Sequence, residues 1–560
     1  MNEPQTEQKL THNEQIKTAI PTLAGTISAT IDDASTEQFN EDDQQFLKFH
    51  GIYQQDDRDL RKTGKKYIMM IRGRIPGGVM TSKQWQVFDD LADNHGNQTL
   101  RVTTRQSIQF HGVVKSGLRQ LVKAINDSLL STLAACGDVN RNVLAPPTPA
   151  YTKAREQVFQ DCEKVALALA PKTSAYHSIW IEGVQLKLDD EANQNFVDPL
   201  YGKTYLPRKF KTAFVIPPLN DVDVLTNDLG FIAIVKEDEL IGYNLAIGGG
   251  LGRSHGNEQT YPRLADVVGF FRPEHLVEVA EAVLTIHRDF GDRTNRKHAR
   301  LKYVIEERGA AWAKGEIEKR AGITLEAPKP YRFDKQSDLL GWRRQFDGNW
   351  FLGLFIENGR IKDADTWKAK TALRKVADQF AIEFRLTAGQ NVVLANVKPA
   401  DKDAIDAILS AHGVQTGEVQ ASPLHTAAMA CPSLPTCGLG LAESERYLPG
   451  LLDRIEKLCT EVGLGGEEII IRMPGCPNGC ARPYMAEIGF VGKGPGRYQV
   501  YFGSNEAGTR LNRLWKDVVK DPDMENELRP VLARYAKERN SGERFGDWCD
   551  RVFLKELAAA

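Results

Sequence analysis

Leu100-Arg-Val-Thr-Thr-Arg-Gln-Ser-Ile-Gln-Phe-His-Gly112 has the pattern of a strand with an unusual alternation, because Arg101, Thr103, Arg105, Ser107, Gln109 and His111 would share one face. A face of Arg, Thr, Arg and Gln cannot pack on an apolar core without a polyanionic ligand or an acidic partner. Part of the stretch returns later: Arg101-Val-Thr-Thr-Arg-Gln106 and Arg385-Leu-Thr-Ala-Gly-Gln390 share their Arg, the first Thr and the Gln. The flanks repeat too. Before the first copy, Lys66-Tyr-Ile-Met-Met-Ile-Arg-Gly-Arg74 predicts a strand stopped by Ile75-Pro-Gly-Gly78. A helix capped at Thr81 or Ser82 then buries Trp85, Phe88 and Leu91, and a later helix carries Leu118, Leu121, Val122, Ile125, Leu129 and Leu133. Around the second copy the same order runs through Trp350–Ile356, Asn358-Gly-Arg-Ile361, a helix with Leu373, Val376 and Phe380, and a strand Phe384–Leu394. A duplicated α+β module over 61–135 and 341–413 follows.

Two further α/β regions fill the rest of the chain. Region 136–340 lies between the copies, with strands expected at Thr212–Ile216 and Gly230–Val235. Its run Gly248-Gly-Gly-Leu-Gly252 is not a dinucleotide fingerprint, since no glycine there has partners at both +2 and +5. No Walker A motif occurs, so reducing electrons must come from outside. Region 414–560 is expected to hold a helix from Ala442 to Cys459, a strand Glu468–Met473, and strands at Ile488–Gly492 and Tyr498–Phe502. Residues 1–60 form an acidic arm with twelve Asp/Glu against four Lys/Arg. Order is expected from about Phe46, and the arm is either a solvated tail or a docking element for a partner subunit.

The chain has 560 residues and a net charge of −2, which argues against a general nucleic-acid binder. No run approaches the eighteen apolar residues of a membrane span, and Met1-Asn-Glu-Pro-Gln lacks the basic and apolar parts of a signal peptide. A cytoplasmic protein is expected. Eight cysteines are too sparse for a disulfide scaffold, and a reducing compartment suits thiolate ligands.

Four of those cysteines fall in two short turns, Cys431 and Cys437 as C-x5-C, and Cys476 and Cys480 as C-x3-C within Met473-Pro-Gly-Cys-Pro-Asn-Gly-Cys480. Surrounding glycines and prolines leave backbone N–H groups free to turn toward a buried anionic cluster. Four thiolates suit zinc or an iron–sulfur cluster, and the spacing departs from the usual zinc knuckles, so an iron–sulfur cluster is the better reading. Spacing alone does not give its nuclearity. A non-catalytic metal-binding scaffold is the alternative from another class.

Basic residues recur at Arg72, Arg74, Arg101, Arg105, Arg141, Arg208-Lys-Phe-Lys211 and Arg293–Arg300. Several converging on a pocket would bind an oxyanion, with a desolvated Lys able to donate a proton. Together the cysteine pairs, Arg101-x-Thr-x-Arg-Gln106, Asn140-Arg-Asn-Val143, Thr204-Tyr-Leu-Pro-Arg-Lys-Phe-Lys211 and the duplicated module resemble the sirohaem-containing sulfite and nitrite reductases. Within that family the likeness is closest to haemoprotein (beta) subunits of bacterial NADPH-dependent assimilatory sulfite reductase, from about Leu10 to Trp548. The resemblance implies a ferredoxin-like duplicated repeat, with the two α/β lobes around a central cofactor site. It implies one sirohaem and one [4Fe–4S] cluster per chain, the cluster on Cys431, Cys437, Cys476 and Cys480, with Cys480 also axial to the sirohaem iron. The family's substrate-binding set falls on Arg72, Arg141, Lys209 and Lys211, with Arg74 in place of Arg72 if the alignment shifts by two. Sirohaem carries eight carboxylates, and Arg101, Thr103, Arg105, Gln109, His111, Arg300, Gln390 and Asn478 match positions that line it.

The implied reaction is six-electron reduction of sulfite to sulfide, with electrons from NADPH through a flavoprotein (alpha) subunit engaged by the N-terminal arm. Nitrite reduction is the close alternative. Nitrite enzymes of the family tend to carry Asn at Lys211, and a further cation suits doubly charged sulfite better. One departure is a short segment between Tyr53 and Tyr67, which bears on local cover of the site.

Overall fold

The computed structural model describes residues 9–149, 152–173, 179–181, 184–186 and 196–559. The duplicated module forms two five-stranded sheets, and each takes its last strand from the other copy. The first sheet runs Ile52–Asp56, Tyr67–Arg72, Ile108–Val113, Leu100–Val102 and then Arg360–Ile361 of the second copy. The second runs Gly341–Arg344, Trp350–Leu354, Val392–Val397, Glu383–Leu386 and then Val79–Thr81 of the first. The exchanged strands leave tight turns in which Gly77 and Asn358 (φ 62° and 51°) precede Gly78 and Gly359 (φ 75° and 74°). A Cβ on Gly78 would lie 2.7 Å from the Leu386 carbonyl oxygen, and one on Gly359 2.4 Å from that of Val102, so both crossings require glycine. Thr81 and Gln84 form the capping box of helix Ser82–His95, which buries Trp85, Phe88 and Leu91. Trp85 stacks on Phe384 of the other copy with ring centroids 4.5 Å apart, so the helix also ties the copies together.

The stretch Leu100–Gly112 is a hairpin rather than one strand. Thr103 N donates to Ser107 O at 2.8 Å and Gln106 N to Thr103 O at 3.0 Å, with Gln106 at φ 48°. The repeat does the same through Thr387, Asn391 and Gln390 (φ 73°), so the shared Arg-x-Thr-x-x-Gln encodes a turn. Thr103-Thr-Arg-Gln106 lacks the Gly, Pro, Asn or Asp that usually punctuates a hairpin, and the alternation hid it. Arg101 pairs opposite Gln109, which keeps those two on a common face. The helix expected to run on to Leu133 ends at Asp127, and Leu129 is 89% exposed at φ 64°. The helix expected from Ala442 begins at Leu448.

Order begins well before Phe46. Helices His12–Ala19, Ile27–Asp32 and Glu41–Phe49 precede the first strand, and Ile16, Leu23, Ile27 and Phe39 are buried in the same core as both modules. Lys17 Nζ, buried, donates to Glu14 at 2.6 Å and to Leu206 O at 2.8 Å. Those apolar residues are spaced too widely to show a helical period, so the composition resembled a tail.

The structure also contains a second duplication that the sequence did not show. The central lobe runs Thr212–Val215, a short turn Val224–Thr226, Leu229–Lys236, Glu239–Ile247, Asp266–Phe271 and helix Leu276–Phe290. The C-terminal lobe repeats this order with Ile471–Met473, Pro483–Met485, Ile488–Gly494, Arg497–Phe502, Arg513–Lys520 and helix Met524–Glu538. In each, the first two strands pair parallel and the later ones antiparallel. Asp223 and Arg482, which open the short turns, are both left-handed at φ 48° and 53°. The chain is thus two copies of a module followed by a lobe. Among the described residues no helix is long and apolar enough to cross a membrane.

Candidate functional site

Strand Met429–Ala430 lies parallel to Ile471–Met473, so the two cysteine turns leave the same end of one sheet. Gly475 N donates to Cys431 Sγ at 3.4 Å, and Asn478 Nδ2 to Cys476 Sγ at 3.6 Å. A Cβ on Gly475 would sit 1.7 Å from Ser433 Oγ, so that donor comes close only because the residue is glycine. Burial pushes the Cys431 thiol up, and the Cys480, Cys476 and Cys437 thiols push it further. Burial and Cys480 likewise raise Cys476 to about 12. A shared metal cluster relieves this opposition, because its positive charge deprotonates the thiols it binds. Among the described residues no three His, Cys, Asp or Glu side chains form a group that could hold a single metal ion.

Both copies of the module grip the segment leading into Cys431. Arg101 Nη2 and Gln390 Nε2 donate to Ala430 O at 2.9 and 3.0 Å. Glu445 N donates to Cys431 O at 3.1 Å, while its carboxylate takes Arg101 Nε at 2.8 Å and Arg360 Nε at 2.7 Å. Arg101 and Gln390 therefore do not line the cavity at Cys480, although they belong to the expected cofactor set. Arg58, from the short segment after Tyr53, donates to Gly438 O and Gly440 O at 2.6 and 2.7 Å and covers the turn at Cys437.

Cys480 is the exposed member of the four, and it opens on a cavity lined by Thr104, Arg105, Lys209, Lys211, Arg300 and Asn478. Thr104 Oγ1 donates to Cys480 O at 3.0 Å, joining the first module's hairpin turn to the cysteine turn. Arg105 donates to Asn227 Oδ1 at 2.7 Å and Thr212 O at 3.0 Å, and Arg300 pairs with Asp228 at 2.6 Å. Arg72 donates to Cys136 Sγ at 2.8 Å, and the Gln109 amide oxygen accepts from its Nε at 3.0 Å. Arg141 lies over Gly137 O at 3.3 Å. Arg74 turns away to the Ala166 carbonyl, and neither Arg72 nor Arg141 is among the residues that line the cavity at Cys480. Thr103 Oγ1 accepts from Arg105 N at 3.2 Å, behind the cavity wall.

Among the described residues, Arg72, Arg105, Arg141, Lys209 and Lys211 make no ion pair, and the two lysine ammonium groups make no hydrogen bond. Burial, followed by Arg208, Arg141, Lys211 and Arg300, holds Lys209 well below the ordinary lysine range. Burial, followed by Arg105, Arg300 and Arg141, does the same to Lys211. Burial and Arg141 bring Arg105 down to about 9. Both lysines keep some surface, and that surface faces the cavity. Arg105 Nε, Arg300 Nε, His111 Nε2 and Gln390 Oε1 are buried without partners. His111 is neutral, since burial drives its imidazole well below the usual value. Of these side chains, Arg105, Lys209, Lys211 and Arg300 line the one cavity at Cys480, and that gathering of cations, with the orphaned Nε atoms of Arg105 and Arg300, fits a polyacid macrocycle or an oxyanion.

Thr104, Asn227, Asp228, Glu445 and Arg482 also build the site and were not found from the sequence. Arg482 Nε pairs with Asp223 at 2.7 Å, and so does Arg472, at 2.8 Å. Glu445 lies in Glu443-Ser-Glu-Arg446, a charge run that by itself looks like a solvated face.

Four thiols meeting a cation-lined cavity at one cysteine define an iron–sulfur oxidoreductase acting on an anion. The model of the nitrite/sulfite reductase ferredoxin-like half domain matches residues 61–128 and 343–412, and that of the nitrite and sulphite reductase 4Fe-4S domain matches 163–325. Sulfite reductase [NADPH] hemoprotein beta-components are similar over nearly the whole chain. That of Myxococcus xanthus is 47% identical, covering 97% of this chain and 96% of its own, and that of Anoxybacillus flavithermus is 48% identical at the same coverages. The solved structure of Mycobacterium tuberculosis NirA protein superposes with a TM-score of 0.78 at 25% identity, covering 98% of this chain and 97% of that one. The chain belongs to the nitrite and sulfite reductase family. Residues 163–325 contain no cysteine; they supply Lys209, Lys211 and Arg300, and the cluster-type thiols lie in the lobe that duplicates them.

Proposed function

We propose that the chain is the haemoprotein subunit of an assimilatory sulfite reductase, reducing sulfite to sulfide with electrons from NADPH by way of a flavoprotein subunit. The observation that carries this is Cys480, one of four gathered thiols and at the same time a wall of the cavity holding Lys209, Lys211 and Arg300. Cys431, Cys437, Cys476 and Cys480 would hold a [4Fe–4S] cluster, and Cys480, on the cavity wall, would stand between it and the sirohaem. Arg105, Arg300, Asn478, Thr103, Gln109 and His111 face or support the macrocycle, while Arg101 and Gln390 act behind them through Ala430. When bound, the two groups would relay the electrons and supply the iron chemistry of sulfite reduction.

Reduction of sulfite to hydrosulfide takes up six electrons and seven protons and releases three waters. Arg72, Arg141, Lys209 and Lys211 hold the oxygens, so the pocket meets a divalent anion with a surplus of positive charge. Lys209 and Lys211 also donate protons, and their lowered pKa makes them better acids than free lysine. Because the acting form is protonated, turnover is lost as pH rises through the depressed value. The alkaline limb of kcat/KM for sulfite is therefore expected below the ordinary lysine range, and Lys211→Arg should move it upward. Lys211→Asn is expected to lower kcat/KM for sulfite by about 100-fold and for nitrite by much less. Steady-state assays with reduced methyl viologen check both, and a wild-type preference for nitrite with no loss in Lys211→Asn would refute the choice of substrate.

The flavoprotein docks on the N-terminal segment, with the exposed acids Asp32 and Glu41 at helix ends and Asp33 and Glu37 in the connection between them as the leading contacts. Changing these four to Lys is expected to slow electron transfer from the flavoprotein at least about tenfold at low salt while leaving methyl viologen turnover intact. Equal loss with both donors would exclude this docking face. The cytoplasm suits a chain whose eight cysteines are all free thiols.

A further inference from the structure

The two lobes carry the same buried carboxylate, but the copies differ in what it faces. In the C-terminal lobe Glu487, 0% exposed, sits just before strand Ile488–Gly494. It accepts from Ile470 N at 2.9 Å, Gly546 N at 3.0 Å and Arg544 Nη2 at 2.7 Å. Arg544 is further neutralised by Glu468 and Glu506, at 3.1 and 3.5 Å, so this copy is a closed structural knot.

Asp228, also 0% exposed, occupies the matching place before strand Leu229–Lys236. One oxygen, Oδ2, accepts from Lys211 N at 3.0 Å and Arg300 Nη2 at 2.6 Å, while Oδ1 has no partner. Here both partners line the cavity beside Cys480. The preceding residue, Asn227, holds a third cavity cation through Arg105 Nη1 at 2.7 Å. The glycine run closes over the pair, with Gly248 N donating to Asp228 O and Gly249 N to Asn227 O, each at 2.9 Å. A Cβ on Gly249 would lie 2.2 Å from Leu225 O, and one on Gly250 2.8 Å from the Arg300 guanidinium. The run that failed as a nucleotide fingerprint thus lets backbone and guanidinium pack directly on this dipeptide.

We infer that Asp228 is a positioning residue for the anion pocket, a single carboxylate that fixes the Arg300 guanidinium and the Lys211 backbone so that both present their charge to the cavity. The inference rests on the reading of that cavity as the substrate site. Asp228 acts through its partners: the amide oxygen of Asp228→Asn can still accept from Lys211 N, so the part of the effect that the substitution removes runs through Arg300 and must vanish when Arg300 is gone.

The test is a double-mutant cycle in the holoenzyme with Asp228→Asn, Arg300→Met and the pair, with Glu487→Gln as the structural control. The melting temperature, sirohaem content per cluster, kcat and KM are measured with sulfite and, in parallel, nitrite. Asp228→Asn and Arg300→Met should each lower kcat/KM by about 100-fold. The double variant should stay near about 100-fold rather than reach about 10⁴-fold. Glu487→Gln should lower the melting temperature and leave kcat/KM of the folded holoenzyme within about twofold. Multiplicative losses, or an Asp228→Asn enzyme within about threefold of wild type, would overturn the inference. Should Asp228→Asn fail to fold, the double variant decides, because it also removes the stranded cation. Folding with the rate of Arg300→Met supports the inference; a double variant that also fails to fold overturns it. A wild type that turns over nitrite alone would refute the sulfite reading, and the cycle would still be read with nitrite.

Discussion

Replacing Cys480 with serine is expected to lower sulfite reduction by at least about 10³-fold and to remove cluster and sirohaem absorption together. Loss of outer-shell partners of a metal site costs about 10- to 100-fold, and on the proposed reading Cys480 would serve two redox groups, so its removal is expected to cost more. The expectation is specific to Cys480 because of where it lies. Cys437 is on a turn covered by Arg58, with Gly440 N bonded to its carbonyl oxygen, while Cys480 alone of the four lines the cation cavity. Cys437→Ser is therefore expected to weaken the cluster while the macrocycle still finds its cationic walls. Iron content, absorption spectra and methyl viologen turnover of the two variants provide the comparison. Retention of more than about a tenth of wild-type turnover by Cys480→Ser would contradict the bridging role.

Glu445→Ala should produce the largest loss of stability, about 3–5 kcal/mol, together with a labile cluster. The carboxylate, 14% exposed, lies between the buried Arg101 of the first copy and the partly buried Arg360 of the second, and its removal strands both cations. It also frees the segment at Cys431, because Arg101 and Gln390 both hold Ala430 O and Glu445 N holds Cys431 O. Burial by itself would raise the Glu445 pKa, but Arg360 and Arg101 outweigh it and hold the group at about 2. A depressed carboxylate stabilises the fold above its unfolded pKa, and that contribution fades as pH falls toward 2. From the difference it amounts to about 3 kcal/mol near neutrality. Unfolding midpoints from pH 7 down to pH 3 should thus fall less steeply in Glu445→Gln than in wild type. Iron release into a chelator at neutral pH measures the second effect, and unchanged release in Glu445→Ala would separate this residue from the cluster.

The sequence revealed the parts of the fold that rest on periodicity and spacing. Trp85, Phe88 and Leu91 announced a helix, and the recurring Arg-x-Thr-x-x-Gln announced the duplicated module. The same alternation concealed the hairpin turn, since Arg101 and Gln109 face the same way whether the chain runs straight or doubles back. The duplication of the lobes was hidden because equivalent residues do unlike work: Asp228 matches Glu487, and Cys476–Cys480 lies after a strand that matches Thr212–Val215. Among site residues, Lys209, Lys211, Arg105, Arg300, Asn478 and Cys480 line one cavity, and Arg72 and Arg141 do not. Glu445 and Asp228 were illegible, because a buried counter-charge looks the same in sequence as a surface one. Only the fold shows that Arg101, from the most conspicuous motif, spends its guanidinium on Glu445 and the cluster loop.

The most direct measurement is the electron balance of the anaerobically purified protein with reduced methyl viologen and sulfite, taken with its absorption spectrum. A coloured protein with sirohaem bands should release one sulfide for every six electrons consumed, and this activity should disappear in Cys480→Ser. A colourless or zinc-loaded protein, or electron uptake without sulfide, would contradict the central claim that Cys480 joins an iron–sulfur cluster to a sulfite-reducing haem.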